Sequence, residues 1–214
     1  MKYIYIIFIL SLAISCNIDE VYVDVYDPVQ DRIDSMEQRK TDKNIIYSYI
    51  DNNNITSYDT TSSGVFYTVI DEGDSILYPE INDILSINIA GYYTNDSIFF
   101  TNDTIDLIIF DTNQQSLAEN IGYYDPTKYY SPLVYTYNGY GSFFPVVSDH
   151  GYLAQLSDFK LSLGKSLSVI SEKGKVKILM PSGNAYGELG NNNNPVIPEN
   201  AVLIFDIELI RIRK

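Results

Sequence analysis

The stretch from Lys175 to Ile210, KVKILMPSGNAYGELGNNNNPVIPENAVLIFDIELI, constrains this chain more than any other. Val176, Ile178 and Met180 alternate with Lys175, Lys177 and Leu179, the period-2 pattern of a strand with one buried face. Pro181-Ser182-Gly183 ends that strand, because proline lacks a ladder donor and glycine frees the backbone. A loop rich in glycine and asparagine follows, holding Ala185-Tyr186-Gly187 and an Ile197-Pro198 step. Leu203, Phe205, Ile207 and Leu209 then line one face of a closing strand, with Asp206 and Glu208 on the other. The whole reads as strand, loop, strand.

Pro181-Ser182, Ala185-Tyr186-Gly187, Ile197-Pro198 and Leu203 to Leu209 (LIFDIEL) occur in order and at matching spacing. Together they resemble the C-terminal third of the FK506-binding-protein (FKBP) type of peptidyl-prolyl cis-trans isomerase. The resemblance implies an α+β fold: an FKBP-like antiparallel sheet of about five strands wrapped around one short helix. It also implies catalysed rotation about X-Pro bonds, with no cofactor and with proline-containing polypeptides as partners.

The N-terminus supplies a compartment. Lys2 is a minimal basic region and Tyr3 to Ile14 an apolar run too short for a stable membrane span. Leu12-Ala13-Ile14-Ser15-Cys16 resembles a bacterial lipobox, in which the cysteine becomes the lipidated first residue. Residues 1–15 are therefore expected to be a signal peptide, and Cys16 a membrane anchor of extracytoplasmic protein. Asp19 and Glu20 resemble the acidic signal that some Gram-negative lineages use for the outer membrane. Cys16 is the single cysteine, so neither a disulfide nor a cysteine metal site can form within one chain. A formal net charge of −14 argues against nucleic acid, whose phosphates need clustered Lys and Arg.

Residues 16–60 read as a tether and a helix, and 61–214 as the FKBP-like domain. Pro28 suits a helix start; Val29, Ile33 and Met36, then Ile46, Tyr49 and Ile50, form an apolar stripe that Asn52-Asn53-Asn54 ends. A helix over residues 29–50 can pack on the domain, make a dimer or be a solvated connector. Gly64 to Ile70 reads as a first strand with Asp71-Glu72-Gly73-Asp74 as its turn, and Ile84 to Tyr93 as a second. Asn95-Asp96 then precedes Ile98-Phe99-Phe100. From about 101 to 157 lies an aromatic-rich insertion with Tyr123, Tyr124, Tyr129, Tyr130, Tyr135, Tyr137, Tyr140, Phe143 and Phe144. Pro126, Pro132, Pro145 and Gly139-Tyr140-Gly141 argue against a helix there. Its rings either bury themselves against the sheet or form a lid that grips extended peptides. Leu163, Leu167 and Ile170 recur at helical spacing, predicting one amphipathic helix that ends at Glu172-Lys173-Gly174.

Carried over by position, the resemblance implies that Phe99, Val196, Ile197 and Phe205 line a prolyl pocket. Tyr186 would offer its hydroxyl to a substrate carbonyl, and Tyr186 and Phe99 are the expected catalytic residues. Three positions depart from the family. Ile89 stands at the pocket tyrosine, Phe100 at the pocket aspartate, and Leu163 at the tryptophan floor, in a chain without tryptophan. These changes keep the pocket apolar and remove polar orienting groups, so a non-catalytic proline-peptide binder or chaperone is the alternative reading. Other chemistries gather less support. Ser148-Asp149-His150 is contiguous rather than a triad spread along the chain, and no G-x-S-x-G accompanies it. Asp71, Glu72 and Asp74, like Asp103 and Asp106, lack the alternation of a calcium loop and read as surface acids.

Overall fold

The computed structural model describes residues 28–94, 107–139, 157–192 and 196–214. The described strands are β1 (Asp59–Thr60), β2 (Phe66–Asp71), β3 (Ile84–Thr94), β4 (Leu107–Thr112), β5 (Leu133–Thr136), β6 (Lys175–Met180) and β7 (Leu203–Arg213). The helices are α1 (Pro28–Asn52), α2 (Gln115–Asn120) and α3 (Ser157–Leu167). None of these helices is long and apolar enough to cross a membrane. The signal segment, Cys16, Phe99, Phe100, Tyr140, Phe143 and Phe144 lie outside the described residues.

The strands form one antiparallel sheet in the order β1-β2-β6-β7-β3-β4, with β5 also on β3. Expectation and structure agree on the α+β class, but the sheet has seven described strands rather than about five. The additions are β1, a two-residue cover on β2, and the insertion strands β4 and β5, which share one edge of β3. β5 pairs with Ile84–Ile87 and β4 with Ala90–Thr94. Between them Asn113 substitutes for a strand. Its Oδ1 accepts from the Ile89 N–H at 2.8 Å and its Nδ2 donates to the Ile87 carbonyl at 3.0 Å. That satisfies backbone groups whose burial unpaired would be costly.

Each face of the sheet carries its own core, because side chains alternate along a strand. On one face Leu163 and Leu167 of α3, with Ile170, pack among Ile87, Ile89, Val176, Ile178, Phe205 and Ile207. On the other, Ile45, Ile46, Tyr49 and Ile50 of α1 cover Phe66, Leu179, Val202 and Ile204. Leu179 is therefore buried like its neighbours, although period-2 alternation assigns it to the polar face; α1 supplies a second buried layer. Among the described residues, the helix over residues 29–50 packs on the domain through its C-terminal half. Ile33 and Met36, on the same predicted stripe, are exposed. α1 ends at Asn52, and Asn54 takes the left-handed conformation (φ 53°) that asparagine tolerates at such ends.

Two local expectations are corrected. α3 stops at Leu167 rather than at Glu172, and Ile170 is buried from the turn that follows. The insertion does contain a short helix, α2, placed ahead of its prolines. Its tyrosines divide. Tyr135 and Tyr137 join the α3 core, and the Tyr137 hydroxyl donates to the Gly164 carbonyl at 2.9 Å. Tyr124 and Tyr130 stack with centroids 5.6 Å apart, and Tyr129 is 80% exposed.

Candidate functional site

The expected pocket residues approach one another from three elements. Phe205 comes from the start of β7, Leu163 from α3 and Ile197 from the loop between β6 and β7; all are fully or almost fully buried in the same apolar cluster. Ala185 and Tyr186 pack against that cluster, half-buried. Ile89 belongs to it as well, but deep in the sheet, paired with Ile207 and shielded from solvent. An isoleucine there is core, because its neighbours Val176 and Ile207 leave it no polar partner. Val196 does not join them. It is 64% exposed, since an Asn191–Ile197 bridge (2.7 and 2.8 Å) turns Ile197 inward and its neighbour outward. Gly190 permits that bridge, with φ of 59° and no room for a Cβ, which would sit 2.5 Å from the Ile197 carbonyl oxygen.

The cluster has a member that sequence reasoning missed. Phe110 of β4 meets Phe205 edge-to-face, centroids 5.9 Å apart and planes at 89°. Gly91 makes this possible: a Cβ on it would lie 2.5 Å from the Phe110 ring. Strand register puts Tyr67, Ile178, Phe205 and Gly91 in one row across the sheet, and Met180, Leu203 and Tyr93 in the next. Tyr67 and Tyr93 are half-buried beside the cluster, and Tyr67 donates its hydroxyl to Asp59 at 3.0 Å. The apolar run from Leu107 to Phe110 was the signal available for β4, but it lies where the resemblance lapses. Beyond Gly91 the register partner is Asp111, whose buried carboxylate pairs with Lys128.

Tyr186 is the polar feature of the arrangement. A 3-10 turn over Ser182–Asn184 leads directly into it. Its hydroxyl oxygen is shielded from solvent and has no hydrogen-bond partner among the described residues. Burial pushes the phenol up to about 12, so the hydroxyl stays protonated and able to donate. A buried hydroxyl without a partner costs free energy that an incoming acceptor would recover. Two clefts among the described residues are lined by neither Tyr186, Ile197, Leu163 nor Phe205. One, of about 360 Å³, is bordered by Tyr92, Lys177 and Asp206; the other, of about 600 Å³, by Tyr58, Thr68 and Val169.

Comparison with known proteins bears on the same segment. The family described as FKBP-type peptidyl-prolyl cis-trans isomerase matches residues 156–210. Among solved structures, FkpA from Escherichia coli is 21% identical with a TM-score of 0.46, covering 86% of this chain and 63% of its own. The chain thus spans less than two thirds of that protein. A peptidyl-prolyl cis-trans isomerase from Pseudomonas syringae pv. tomato is 15% identical (TM-score 0.47), with coverage of 89% and 99%. The N-terminal domain of FKBP42 from Arabidopsis thaliana is 15% identical (TM-score 0.46), with coverage of 74% and 94%. No curated protein matches by sequence. The matched residues run from the approach to α3 through β6 and into β7, and it is this segment, which carries Leu163, Tyr186, Ile197 and Phe205, that is similar to the FKBP-type peptidyl-prolyl cis-trans isomerase family.

Proposed function

We propose that the protein is a peptidyl-prolyl cis-trans isomerase acting on extracytoplasmic polypeptides, with its pocket over Phe205, Ile197 and Leu163. Amide resonance sets a rotation barrier of about 18–20 kcal/mol. Uncatalysed X-Pro rotation therefore takes tens to hundreds of seconds. The twisted transition state has lost that resonance and is less polar across the C–N bond. An apolar, water-poor pocket then favours it over the planar ground state, which is catalysis by differential binding. No nucleophile or metal is needed. Tyr186 holds the peptide by donating to a carbonyl, and Phe205 with Phe110 presents the apolar wall.

The observation that carries this reading is the buried Tyr186 hydroxyl, without a hydrogen-bond partner among the described residues, beside an aromatic and aliphatic cluster. A second reading, a proline-peptide binder without turnover, draws on Ile89 and Leu163, which give the cluster no polar orienting group. Protease-free NMR exchange on an Ala-Leu-Pro-Phe peptide separates the two. The isomerase accelerates cis-trans exchange above the buffer rate; a binder broadens or shifts the peptide signals and leaves the rate unchanged. Cys16 in this reading is lipidated and anchors the protein to the outer membrane, facing proteins that fold in the cell envelope. Two acyl chains suffice for stable anchoring where one is marginal.

A further inference from the structure

Asp42, in the middle of α1, is fully buried, yet no Lys or Arg pairs with it among the described residues. Its carboxylate is held by donors instead. One oxygen accepts both the backbone N–H and the hydroxyl of Ser182, each at 2.8 Å, and the other accepts Gln38 Nε2 at 2.8 Å. A buried carboxylate is tolerated only when such charge-assisted bonds are all made. Docking of the helix does not require this group, because Ile45, Ile46, Tyr49 and Ile50 already bury an apolar stripe on the sheet. What the carboxylate adds is direction.

Ser182, itself fully buried, opens the 3-10 turn that delivers Ala185 and Tyr186. The turn closes on itself through Asn184 N–H to the Pro181 carbonyl at 2.9 Å and Ala185 N–H to the Ser182 carbonyl at 2.8 Å. Asn184 Nδ2 reaches the Ser63 carbonyl at 3.1 Å. The Tyr186 hydroxyl has no hydrogen-bond partner among the described residues, and its ring packs against the apolar cluster. Where that ring enters the cluster follows from the backbone of this turn, and the turn is fixed at its start by Asp42. We propose that Asp42 is a positioning residue: from the α1 side of the sheet it sets the turn that aims the Tyr186 hydroxyl at substrate. Helix α1, which leads from the N-terminal tether, is on this view part of the frame of the site.

This inference rests on the isomerase reading, and its test keeps the two apart. In the full chain, Asp42→Asn keeps the shape but removes the charge that strengthens the bonds from Ser182 and Gln38, and turns one of the two accepting oxygens into a donor. The expected result is a loss of about tenfold in kcat/KM in the exchange assay, the size of one lost buried hydrogen bond. The ring signals of Tyr186 in ¹³C-tyrosine-labelled protein, assigned by their absence in Tyr186→Phe, should move or broaden. The double variant Asp42→Asn with Tyr186→Phe should be no slower than Tyr186→Phe alone. Ile46→Ala, which weakens α1 docking without removing a group hydrogen-bonded to Ser182, is the control and should keep kcat/KM within about twofold while lowering stability. If Asp42→Asn does not fold, Ser182→Ala removes only the hydroxyl donor and should cost about threefold. Unmoved Tyr186 signals, or activity lost in Ile46→Ala as much as in Asp42→Asn, would overturn the proposal. If the unmodified protein shows no turnover, the isomerase reading fails, and the Tyr186 signals alone decide whether Asp42 positions the turn.

Discussion

Tyr186 and Gly91 are the two residues on which the site turns. Burial raises the Tyr186 phenol to about 12, above the ordinary tyrosine value. The protonated donor therefore persists through the range where a free tyrosine ionises. Isomerisation should accordingly be level from about pH 6 to about pH 10. A fall centred near the ordinary value would show that the hydroxyl is not held as described. The sign for stability follows from the same shift: the contribution is complete below the unfolded tyrosine value and is lost as pH rises toward the folded one. Gly91 makes a different prediction. A methyl group there collides with Phe110, so Gly91→Ala should destabilise by about 1–3 kcal/mol, read from urea unfolding midpoints, by forcing the ring away from Phe205. Tyr186 stood out in the sequence as a loop tyrosine between Ala185 and Gly187, and the structure packs it, half-buried, against the apolar cluster. Phe110 was not, since its partnership with Gly91 and Phe205 joins residues far apart in the chain.

Among the elements, β6 and β7 were readable because alternation is a local signal and Pro181 and Gly183 punctuate it. The edges of the sheet were harder. β4 and β5 each take half of β3, and only the tertiary fold says which hydrophobic run inside the insertion pairs where. α1 shows the same limit from the other side. Its stripe resumes after a charged middle, and Ile46 lies over the sheet and is fully buried, whereas Ile33 and Met36 are exposed. Ile46→Ala should therefore cost about 2–5 kcal/mol of unfolding free energy, as a buried large-to-small change does. Met36→Ala should stay within about 0.5 kcal/mol, the usual range for exposed sites. Equal effects at the two positions would mean that the helix does not dock as described. α3 ended earlier than its spacing implied because Ile170 reaches the same core from a turn, and burial alone does not distinguish the two.

For the whole molecule, the proposed reading is a protein tethered to the cell envelope at Cys16. Replacing Cys16 with serine should release the protein from the membrane fraction; retention there would refute a lipid anchor at that residue. The isomerase reading reduces to whether turnover passes through the cluster that Phe205, Ile197 and Leu163 build under Tyr186. The most direct measurement is the X-Pro exchange rate of one peptide with the unmodified protein and with Tyr186→Phe, at equal concentration and without protease. Exchange faster than in buffer, reduced about three- to tenfold by Tyr186→Phe, is the predicted result, matching one lost hydrogen bond to substrate. Acceleration that Tyr186→Phe leaves unchanged, or no acceleration by the unmodified protein, would contradict it.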